Sequence, residues 1–413
     1  MNASIKPMNS IKPLYSSLLK HVAMLCLPLL FIQGCDIKQK EILPEDGFTK
    51  IYNDPEEALS YYTESVLELS GGGYIFISAV KDENAEIEYP TAYLVRTSAS
   101  GEVEWTMSYD WLAPSSKLIE HGNSIGFVAM NQQFEAHVVL VDPSNGNVQS
   151  EHNLEMTMPL YAYTDSDGYL VVLGYDFISR SSWISKFSSN FNLERSNKLP
   201  INTDLEYLIQ RHLNKTGQDF HFFIGEYSND AGTGYYVNCF YNYTLRTVFM
   251  DVSSLSATGD IYSFQIEEGI SSFLPISGPV FGLTSYYEGN NYILPEAEID
   301  VNSSQNIKDL PGDPLYELTF KASVVASELT TETESYALYT SQTNSNSIVM
   351  FQHQLEPDSL VATHHHFFDQ RVMVTDVIQT SDGGVAILAG IFITGKYPRP
   401  LLIKMPADPF IQD

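Results

Sequence analysis

The sequence predicts an all-β fold, a β-propeller of seven blades with four antiparallel strands in each. Three observations support this expectation. Short apolar stretches separated by glycine-rich or Asn- and Asp-containing turns recur with a period of about 52 residues, no long helical pattern interrupts them, and the 413-residue chain has room for about seven such units after its N-terminal signal. Six or eight blades are the alternatives.

The first 34 residues have the features of an export signal. A basic stretch ends at Lys20, and an apolar core follows from His21 to Ile32. This core is too short to span a bilayer, which takes about 20 apolar residues. We therefore expect residues 1–34 to be a signal peptide, residues 35–46 to be a polar tether and residues 47–413 to be the propeller domain.

The end of this signal carries a specific motif. The run Ile32-Gln33-Gly34-Cys35 resembles a bacterial lipobox, in which the cysteine receives a diacylglyceryl group and becomes the first residue of the mature protein. The resemblance implies a lipoprotein anchored in a bilayer through acylated Cys35, since more than one acyl chain gives stable attachment. The protein would lie in the bacterial cell envelope, facing the periplasm or the cell surface. An ordinary signal peptide with an incidental cysteine is the alternative, because Gln33 is unusual at its position.

Composition excludes some classes of function. The chain has 51 Asp and Glu residues against 22 Lys and Arg residues and a formal net charge of −29. A nucleic-acid-binding surface needs clustered basic residues to neutralise phosphates, so we expect no nucleic-acid partner. Of the three cysteines, Cys26 lies in the signal and Cys35 in the lipobox. Cys239 alone remains, and it is expected to be a buried, unreactive thiol.

The clearest repeat unit spans residues 64–106. Its four predicted strands are Glu64–Leu69, Tyr74–Ala79, Ala92–Arg96 and Glu102–Trp105. The same order recurs in the C-terminal unit as Val374–Gln379, Val385–Gly390 and Leu401–Lys404. This unit stops after its third strand, so we expect Gly47–Tyr52 to supply the outer strand and to join the two ends of the chain.

The second strand of each unit provides the alignment of the repeats. It is expected to begin at or near Tyr74, Phe127, Tyr169, Phe220, Phe281, Tyr336 and Val385. Glycine, Asn and Asp in the turns are expected because tight hairpins need a positive φ angle. The pattern is weakest in units four to six, where Glu296–Pro314 reads either as extra loops or as misassigned strands.

The turn Thr380-Ser-Asp-Gly-Gly384, the following strand Val385–Gly390 and the strand Leu401–Lys404 together resemble a known family. They are similar to the secreted and lipoprotein β-propellers of Bacteroidota, whose units carry T-x-D-G-G turns. Tyr169–Gly174 shows the same pattern. The resemblance implies a scaffold and transfers no catalytic residues, because its recurring positions form turns and core.

A candidate binding face is expected where loops follow the second strands, at the mouth of the channel. Exposed aromatic rings beside carboxylates suit a sugar ring, a peptide or a cationic partner. The candidate ligand-binding residues in these loops are Tyr175, Asp176, Tyr227, Tyr286, Tyr287 and Tyr397, with Tyr89 and Asp230 in the same loops. Asp110 and Trp111, in the connection from unit one to unit two, are the other candidates. The alternative is that these tyrosines only cover the ends of the blades.

Metal and catalytic motifs are weak. Asp165-Ser-Asp167-Gly168 and Ser381-Asp382-Gly383 have carboxylates suited to calcium, but a hairpin turn explains both. In a strand, His364 and His366 share one face and would lack a third zinc ligand. We therefore expect no metal, no cofactor and no catalytic residue.

The sequence thus predicts a lipoprotein whose non-catalytic propeller binds a protein or a glycan. One alternative is a glycoside hydrolase or lyase with carboxylates at the channel mouth. The other is a structural subunit of an envelope complex.

Overall fold

The described part of the chain is built almost entirely from antiparallel strands. The computed structural model describes residues 47–52, 59–82, 89–216, 220–229, 232–331, 334–355, 359–393 and 397–410. The predicted signal peptide and tether, together with Cys35 and Asp230, lie outside these residues. The described strands belong to one compact unit, Leu43–Asp413. No helix within the described ranges is both long and apolar enough to cross a membrane.

The described strands form six hydrogen-bonded sheets, one of which has seven strands. This sheet contains, in spatial order, Leu59–Glu68, Tyr74–Asp82, Thr91–Thr97, Val103–His121, Ser124–Met130, Glu135–Val141 and Val148–Thr157. The other five sheets are single blades of four or five strands.

These five blades follow one another along the chain. The first contains Pro159–Thr164, Leu170–Asp176, Ser181–Phe187 and Leu193–Pro200. The second contains Phe223–Asn229, Gly232–Tyr241, Thr244–Asp251 and Ala257–Tyr262, with Ser304–Asn306 at its edge. The third contains Gly269–Ser277, Val280–Tyr287, Asn290–Glu298 and Asp313–Pro314. The fourth contains Val324–Thr330, Ser335–Gln342, Ser347–Gln354 and Ser359–Phe367. The fifth contains Val372–Gln379, Val385–Ile393, Tyr397–Met405 and Phe48–Ile51.

The architecture is an all-β propeller, but the expected set of seven separate four-stranded blades is wrong. Five separate blades are present within the described residues, beside the seven-stranded sheet. The cause is Val103–His121, a continuous strand of 19 residues. It pairs with Thr91–Thr97 through its first part and with Ser124–Met130 through its later part. Two successive meanders are thereby merged into one sheet.

The second strands carry most of the core. Tyr74–Asp82 begins with six consecutive buried residues, and Leu170–Asp176 is buried throughout. A strand covered by neighbouring sheets on both faces needs apolar side chains on both, so its sequence is a continuous apolar run. The outer strand Leu193–Pro200 is mostly exposed. The core therefore lies between neighbouring sheets.

The predicted glycine turns are confirmed. Gly73, Gly168 and Gly383 have φ angles of +85°, +81° and +82°, which glycine adopts without the steric cost of a Cβ atom. At Gly73 a Cβ atom would also lie 2.2 Å from the carbonyl oxygen of Thr97. Both the positive φ angle and the lack of room for a Cβ atom therefore require glycine at position 73.

The alignment of unit four was wrong. Phe220 precedes the first strand of its blade, and the second strand is Gly232–Tyr241. The displacement comes from a helix, Glu206–Leu213, that the repeat pattern did not predict. Its buried residues Ile209 and Leu213 are four positions apart, so one face of this short helix packs on the core.

The insertion Glu296–Pro314 contains both loops and strands. Within it, Ser304–Asn306 pairs in parallel with Ala257–Tyr262 of the preceding blade. Asp313–Pro314 pairs with Asn290–Glu298 of its own blade, and a 3-10 turn, Ile307–Asp309, lies between the two. The insertion therefore bridges two neighbouring sheets.

The N-terminal strand Phe48–Ile51 lies at the outer edge of the C-terminal blade. It pairs antiparallel with Tyr397–Met405, with Phe48 opposite Lys404. The Phe48 ring is buried and lies 5.9 Å from the ring of Tyr74, measured between centroids. Phe48 therefore contacts both the C-terminal blade and the seven-stranded sheet.

Candidate functional site

A cavity of about 1050 Å³ lies between the innermost strands. Seven innermost strands contribute most of the strand residues that line it: Leu59–Glu68, Val103–His121, Pro159–Thr164, Phe223–Asn229, Gly269–Ser277, Val324–Thr330 and Val372–Gln379. Two second strands contribute one residue each, Tyr236 and Gln342. Six of the seven innermost strands are the first strands of their meanders, and Val103–His121 contributes its later part. This cavity, called the central cavity below, therefore lies on the axis of the propeller.

Asp376 ties three of the lining strands together. Its carboxylate accepts hydrogen bonds from the backbone N–H groups of Val66 at 3.0 Å and Val377 at 2.9 Å, and from Lys117 Nζ at 2.5 Å. The side chain is only 1% exposed. The pairing register shifts between Val374 and Asp376, and an irregularity of this kind redirects side chains. The carboxylate is thus held by three donors from three strands.

Lys117 carries a positive charge inside the cavity. Burial disfavours its charged form, but the charge and hydrogen bond of Asp376 outweigh burial and raise the pKa of Lys117 above its usual range. The nearby Tyr161 hydroxyl stays protonated at neutral pH because burial raises its pKa. The Lys117 side chain is 39% exposed and lines the central cavity.

A second ion pair lies beside the short helix. Lys215 Nζ is 2.7 Å from Glu64 Oε1, and both side chains are nearly buried. Lys215 has a φ angle of +55° just after the helix Glu206–Leu213. The unpredicted helix therefore positions a basic residue on the cavity wall.

Lys321 is a third basic residue of the wall. Its side chain is 7% exposed and contacts the Glu267 carboxylate. Its Nζ atom lies 5.6 Å from the ring centroids of both Tyr286 and Phe320. Burial lowers the pKa of Lys321 to about 8. Its charge therefore changes within a pH range in which the protein can be studied.

The lining of the central cavity is much richer in basic residues than the chain as a whole. Four of the 22 Lys and Arg residues line it, against three of the 51 Asp and Glu residues. The basic residues are Lys117, Lys215, Lys321 and Arg371; the acidic residues are Glu64, Glu120 and Asp376. His212 and His221 also line it. Such a cavity favours negatively charged groups relative to the surrounding surface.

The tyrosines predicted to form an exposed binding face are largely buried, so that expectation was wrong. Tyr175, Tyr286 and Tyr287 do lie at the ends of second strands, but they are 1%, 2% and 9% exposed. Asp176 is also buried, and its carboxylate lies 2.5 Å from Lys198 Nζ. Tyr397 begins a third strand and is partly buried. These side chains cover blade ends.

Tyr227 was assigned to the wrong loop. It lies near the end of Phe223–Asn229, the first strand of its blade, and is buried. Its ring contacts those of Phe249 and Phe281, so Tyr227 belongs to the core between two blades.

Asp110 and Trp111 are the two predicted site residues that share a cavity. Asp110 is exposed, Trp111 is partly buried, and both line a smaller cavity of about 500 Å³. None of the eight predicted binding residues lines the central cavity.

The residues of the central cavity were missed for identifiable reasons. Asp376 lies in a strand that was located correctly, and a carboxylate inside an innermost strand was a usable signal. Lys215 and Lys321 lie in segments that the repeat pattern did not resolve, so no sequence signal placed them together.

The two suspected calcium loops are hairpin turns with an internal cation. The carboxylate of Asp382 lies 2.8 Å from Lys404 Nζ, and that of Asp165 lies 3.2 Å from Lys186 Nζ. Each lysine comes from the third strand of the blade that contains its own aspartate. The ammonium group offsets the carboxylate charge that a calcium ion would require.

The histidine run lies in a strand, as expected. His364, His365 and His366 lie in the outer strand Ser359–Phe367, and His364 Nε2 is 3.0 Å from Gln352 Oε1. Among the described residues, no group of three His, Cys, Asp or Glu side chains is arranged to hold a metal ion.

The prediction of a buried, unreactive thiol at Cys239 is confirmed. The side chain is buried, and burial raises the pKa of the thiol to about 12. The thiol is therefore protonated at neutral pH, when a nucleophile would need the thiolate.

Comparisons with known proteins return structural likeness only. No family model matches the chain, and no curated protein matches it. The Dos1 propeller has 11% identity and a TM-score of 0.45, with 86% of this chain and 95% of that chain covered. The WD40 β-propeller domain of Doa1 has 7% identity and a TM-score of 0.45, with 87% and 95% covered. Drosophila Plexin A, in complex with Semaphorin 1b, has 10% identity and a TM-score of 0.44, with 87% and 86% covered. These likenesses carry no information about function.

Proposed function

We propose that the protein is a bacterial lipoprotein whose propeller binds an anionic ligand in the central cavity without transforming it. The observation that carries the proposal is the enrichment of basic residues in the cavity lining, where four basic residues meet three acidic ones in a chain of net charge −29. The excess negative charge on the rest of the chain repels anions from the outer surface. The central cavity is therefore the most favourable place for an anion to bind.

The anchor is part of this proposal. Acylation of Cys35 would tether the propeller to a bilayer of the bacterial envelope through residues 35–46, facing the periplasm or the cell surface. The T-x-D-G-G turn at Thr380–Gly384 supports the relation to Bacteroidota lipoprotein propellers.

We also infer that seven units surround the cavity. The innermost strands contact one another in sequence around it, and the later part of Val103–His121 contacts both Leu59–Glu68 and Pro159–Thr164. The seven-stranded sheet then counts as two blades that share a strand. On this interpretation, Phe48–Ile51 joins the ends of the ring through its pairing with Tyr397–Met405, which protects an otherwise free edge.

Binding is favoured over hydrolysis because two of the three cavity carboxylates are engaged and the third, Glu120, is exposed. Asp376 accepts from three donors and Glu64 is paired with Lys215. A general acid must instead hold a proton near neutral pH, which requires a carboxyl group stabilised in its neutral form.

Titration calorimetry with three probes tests the proposal: trigalacturonate, a triglutamate peptide and the neutral sugar maltotriose. Full-length protein is used in a detergent that has neither a charged nor a sugar head group. We expect at least one of the two acidic probes to bind more tightly than maltotriose, with an affinity that falls as salt is added. The acidic probe that binds shows whether the ligand is a saccharide or a peptide.

Arg371 provides the variant for this test, because it lines the cavity and is exposed. Arg371→Glu should lower the affinity for the acidic probe about tenfold or more, which corresponds to a loss of roughly 1.4 kcal/mol of binding free energy. Arg195→Glu on the exposed outer strand Leu193–Pro200 makes the same change of charge away from the cavity and should have little effect. Equal affinities for acidic and neutral probes, or equal effects of the two variants, would refute the proposal.

A further inference from the structure

A second cavity lies at the junction of the two meanders that share Val103–His121. Its volume is about 500 Å³. The side chains used below are Asp110, Trp111, Asn131, Gln132, Gln133 and Glu151. They come from the middle of the long strand, from the turn after Ser124–Met130 and from the outer strand Val148–Thr157. This cavity, called the Trp111 pocket, is separate from the central cavity.

Trp111 differs from the other two tryptophans. Trp105 Nε1 donates a hydrogen bond to the carbonyl oxygen of Pro143 at 3.1 Å, and Trp183 Nε1 donates to Ser196 Oγ at 2.6 Å. Lys198 Nζ also lies 4.0 Å from the Trp183 ring centroid. Within the described residues, no group accepts a hydrogen bond from Trp111 Nε1. An indole N–H normally has a partner, so this donor is available to a bound molecule.

The Trp111 ring is held in place from one side. It packs against the imidazole ring of His137, with centroids 4.7 Å apart and an interplanar angle of 42°. Burial lowers the pKa of His137, so the imidazole is neutral at pH 7 and adds no positive charge. The remaining surface of Trp111 lines the pocket. A partly buried indole supported from behind is a rigid platform for a flat apolar surface.

The opposite wall is fixed by its own hydrogen bonds. Asn131 Oδ1 accepts from the backbone N–H groups of Gln133 at 2.8 Å and Glu135 at 3.0 Å. Asn131 Nδ2 donates to Glu135 Oε2 at 2.8 Å. The exposed side chains of Gln132 and Gln133 therefore project from an ordered turn. A wall that is ordered before binding reduces the entropy cost of binding.

The chemistry of the lining selects a class of ligand. No Lys or Arg side chain lines the Trp111 pocket within the described residues, which disfavours an anion. Amides and carboxylates supply hydrogen-bond acceptors and donors around one aromatic surface, and a sugar presents hydroxyl groups at its rim and C–H groups on its face. We propose that the Trp111 pocket binds a pyranose unit of a neutral oligosaccharide stacked on the indole ring. This site is independent of anion binding in the central cavity.

Calorimetry and tryptophan fluorescence on the detergent-solubilised full-length protein test the proposal. The probes are cellotetraose, xylotetraose, mannotetraose and laminaritetraose, with choline as a cationic probe for the same aromatic surface. We expect at least one sugar to bind and to change the Trp111 emission. Binding should weaken about tenfold or more in Trp111→Ala and several-fold in the exposed variant Gln132→Ala.

Trp183→Ala is the matched control, because Trp183 is equally partly buried but its N–H group is already engaged. It should bind the sugar like the native protein. Trp111→Phe keeps an aromatic platform and should retain part of the affinity, which distinguishes loss of the site from loss of the fold. The proposal is overturned if no sugar binds, if choline binds and sugars do not, or if Trp111→Ala binds like the native protein.

Discussion

Lys117 Nζ lies 2.5 Å from Asp376 Oδ1 although the two residues are 259 positions apart in sequence. The strand Leu59–Glu68 also contacts both of their strands, and Val66 donates a backbone hydrogen bond to the same carboxylate. One side chain of the C-terminal blade therefore fixes the relative positions of three innermost strands. It also fixes a cation inside the central cavity.

Asp376→Asn should destabilise the protein. The amide keeps one acceptor oxygen but cannot offset the charge of Lys117, and removal of one partner of a buried pair is costly. Because Lys117 is 39% exposed, we expect about 2 kcal/mol rather than the full cost of a dry pair. The shift in the midpoint of urea unfolding measures this loss of stability. The exposed variant Asp110→Asn is the control, and equal midpoints for the two variants would contradict this role of Asp376.

The pairing of the N-terminal strand can be tested at Phe48. Phe48→Ala should lower the free energy of unfolding by about 3 kcal/mol, because it removes a buried ring from the contact with Tyr74. Ile51 lies in the same strand and is 45% exposed, so Ile51→Ala should cost less than about 1 kcal/mol. Similar unfolding midpoints for the two variants would show that this strand contributes little to stability.

The turn ion pair Asp382–Lys404 should make stability depend on pH at the acidic end. Burial opposes the charge on Asp382, but hydrogen bonds from Lys404, Thr380 and the Gly384 N–H group outweigh it and lower its pKa. The folded pKa lies below the unfolded value, so the stabilisation is present above about pH 4 and is lost as pH falls through the folded pKa.

Asp382→Asn should therefore remove about 1 kcal/mol near pH 6 and progressively less below pH 4. Thermal unfolding at a series of pH values measures the difference between the native protein and the variant. A difference that stays constant down to pH 2 would contradict ionisation of Asp382 as its source.

Lys321 should make anion binding depend on pH at the alkaline end. Burial lowers its pKa to about 8, so the cavity loses a positive charge between about pH 7 and 9. The affinity for the acidic probe should fall over this range, and Lys321→Met should bind weakly and without this pH step. Calorimetry at pH 7 and pH 9 on the native protein and the variant measures this change in affinity. If the variant still loses affinity between these two pH values, a group other than Lys321 titrates.

The proposed site of lipidation, Cys35, lies outside the described part of the chain. In a bacterial host, Cys35→Ser should abolish incorporation of labelled palmitate and release the protein from the membrane fraction. Cys239→Ser is the control because that thiol is buried, and it should leave labelling unchanged. Labelled Cys35→Ser protein would contradict the lipobox interpretation.

The sequence was informative where the repeat is regular. The turns at Gly73, Gly168 and Gly383 and the second strands that follow them were predicted correctly, because glycine and short apolar runs are local signals. The sharing of Val103–His121 between two meanders was not predictable, since whether a strand continues or breaks at Trp111 depends on how neighbouring sheets pack.

The binding site was harder to predict than the fold. Tyr175, Tyr286 and Tyr287 were placed correctly at the ends of second strands, but they are buried, and exposure is a tertiary property. The basic residues of the central cavity come from strands and connections spread over the chain. Their proximity depends on the arrangement of the innermost strands around the cavity, which local sequence patterns do not encode.

The most direct test of the central claim is to locate a bound oxyanion by anomalous diffraction from a crystal of the full-length protein soaked in selenate. We expect the strongest selenium peak inside the central cavity, within hydrogen-bond distance of at least one of Lys117, Lys215, Lys321 and Arg371, and its loss in Arg371→Glu. Selenate peaks found only on the outer surface would contradict an anion-binding cavity.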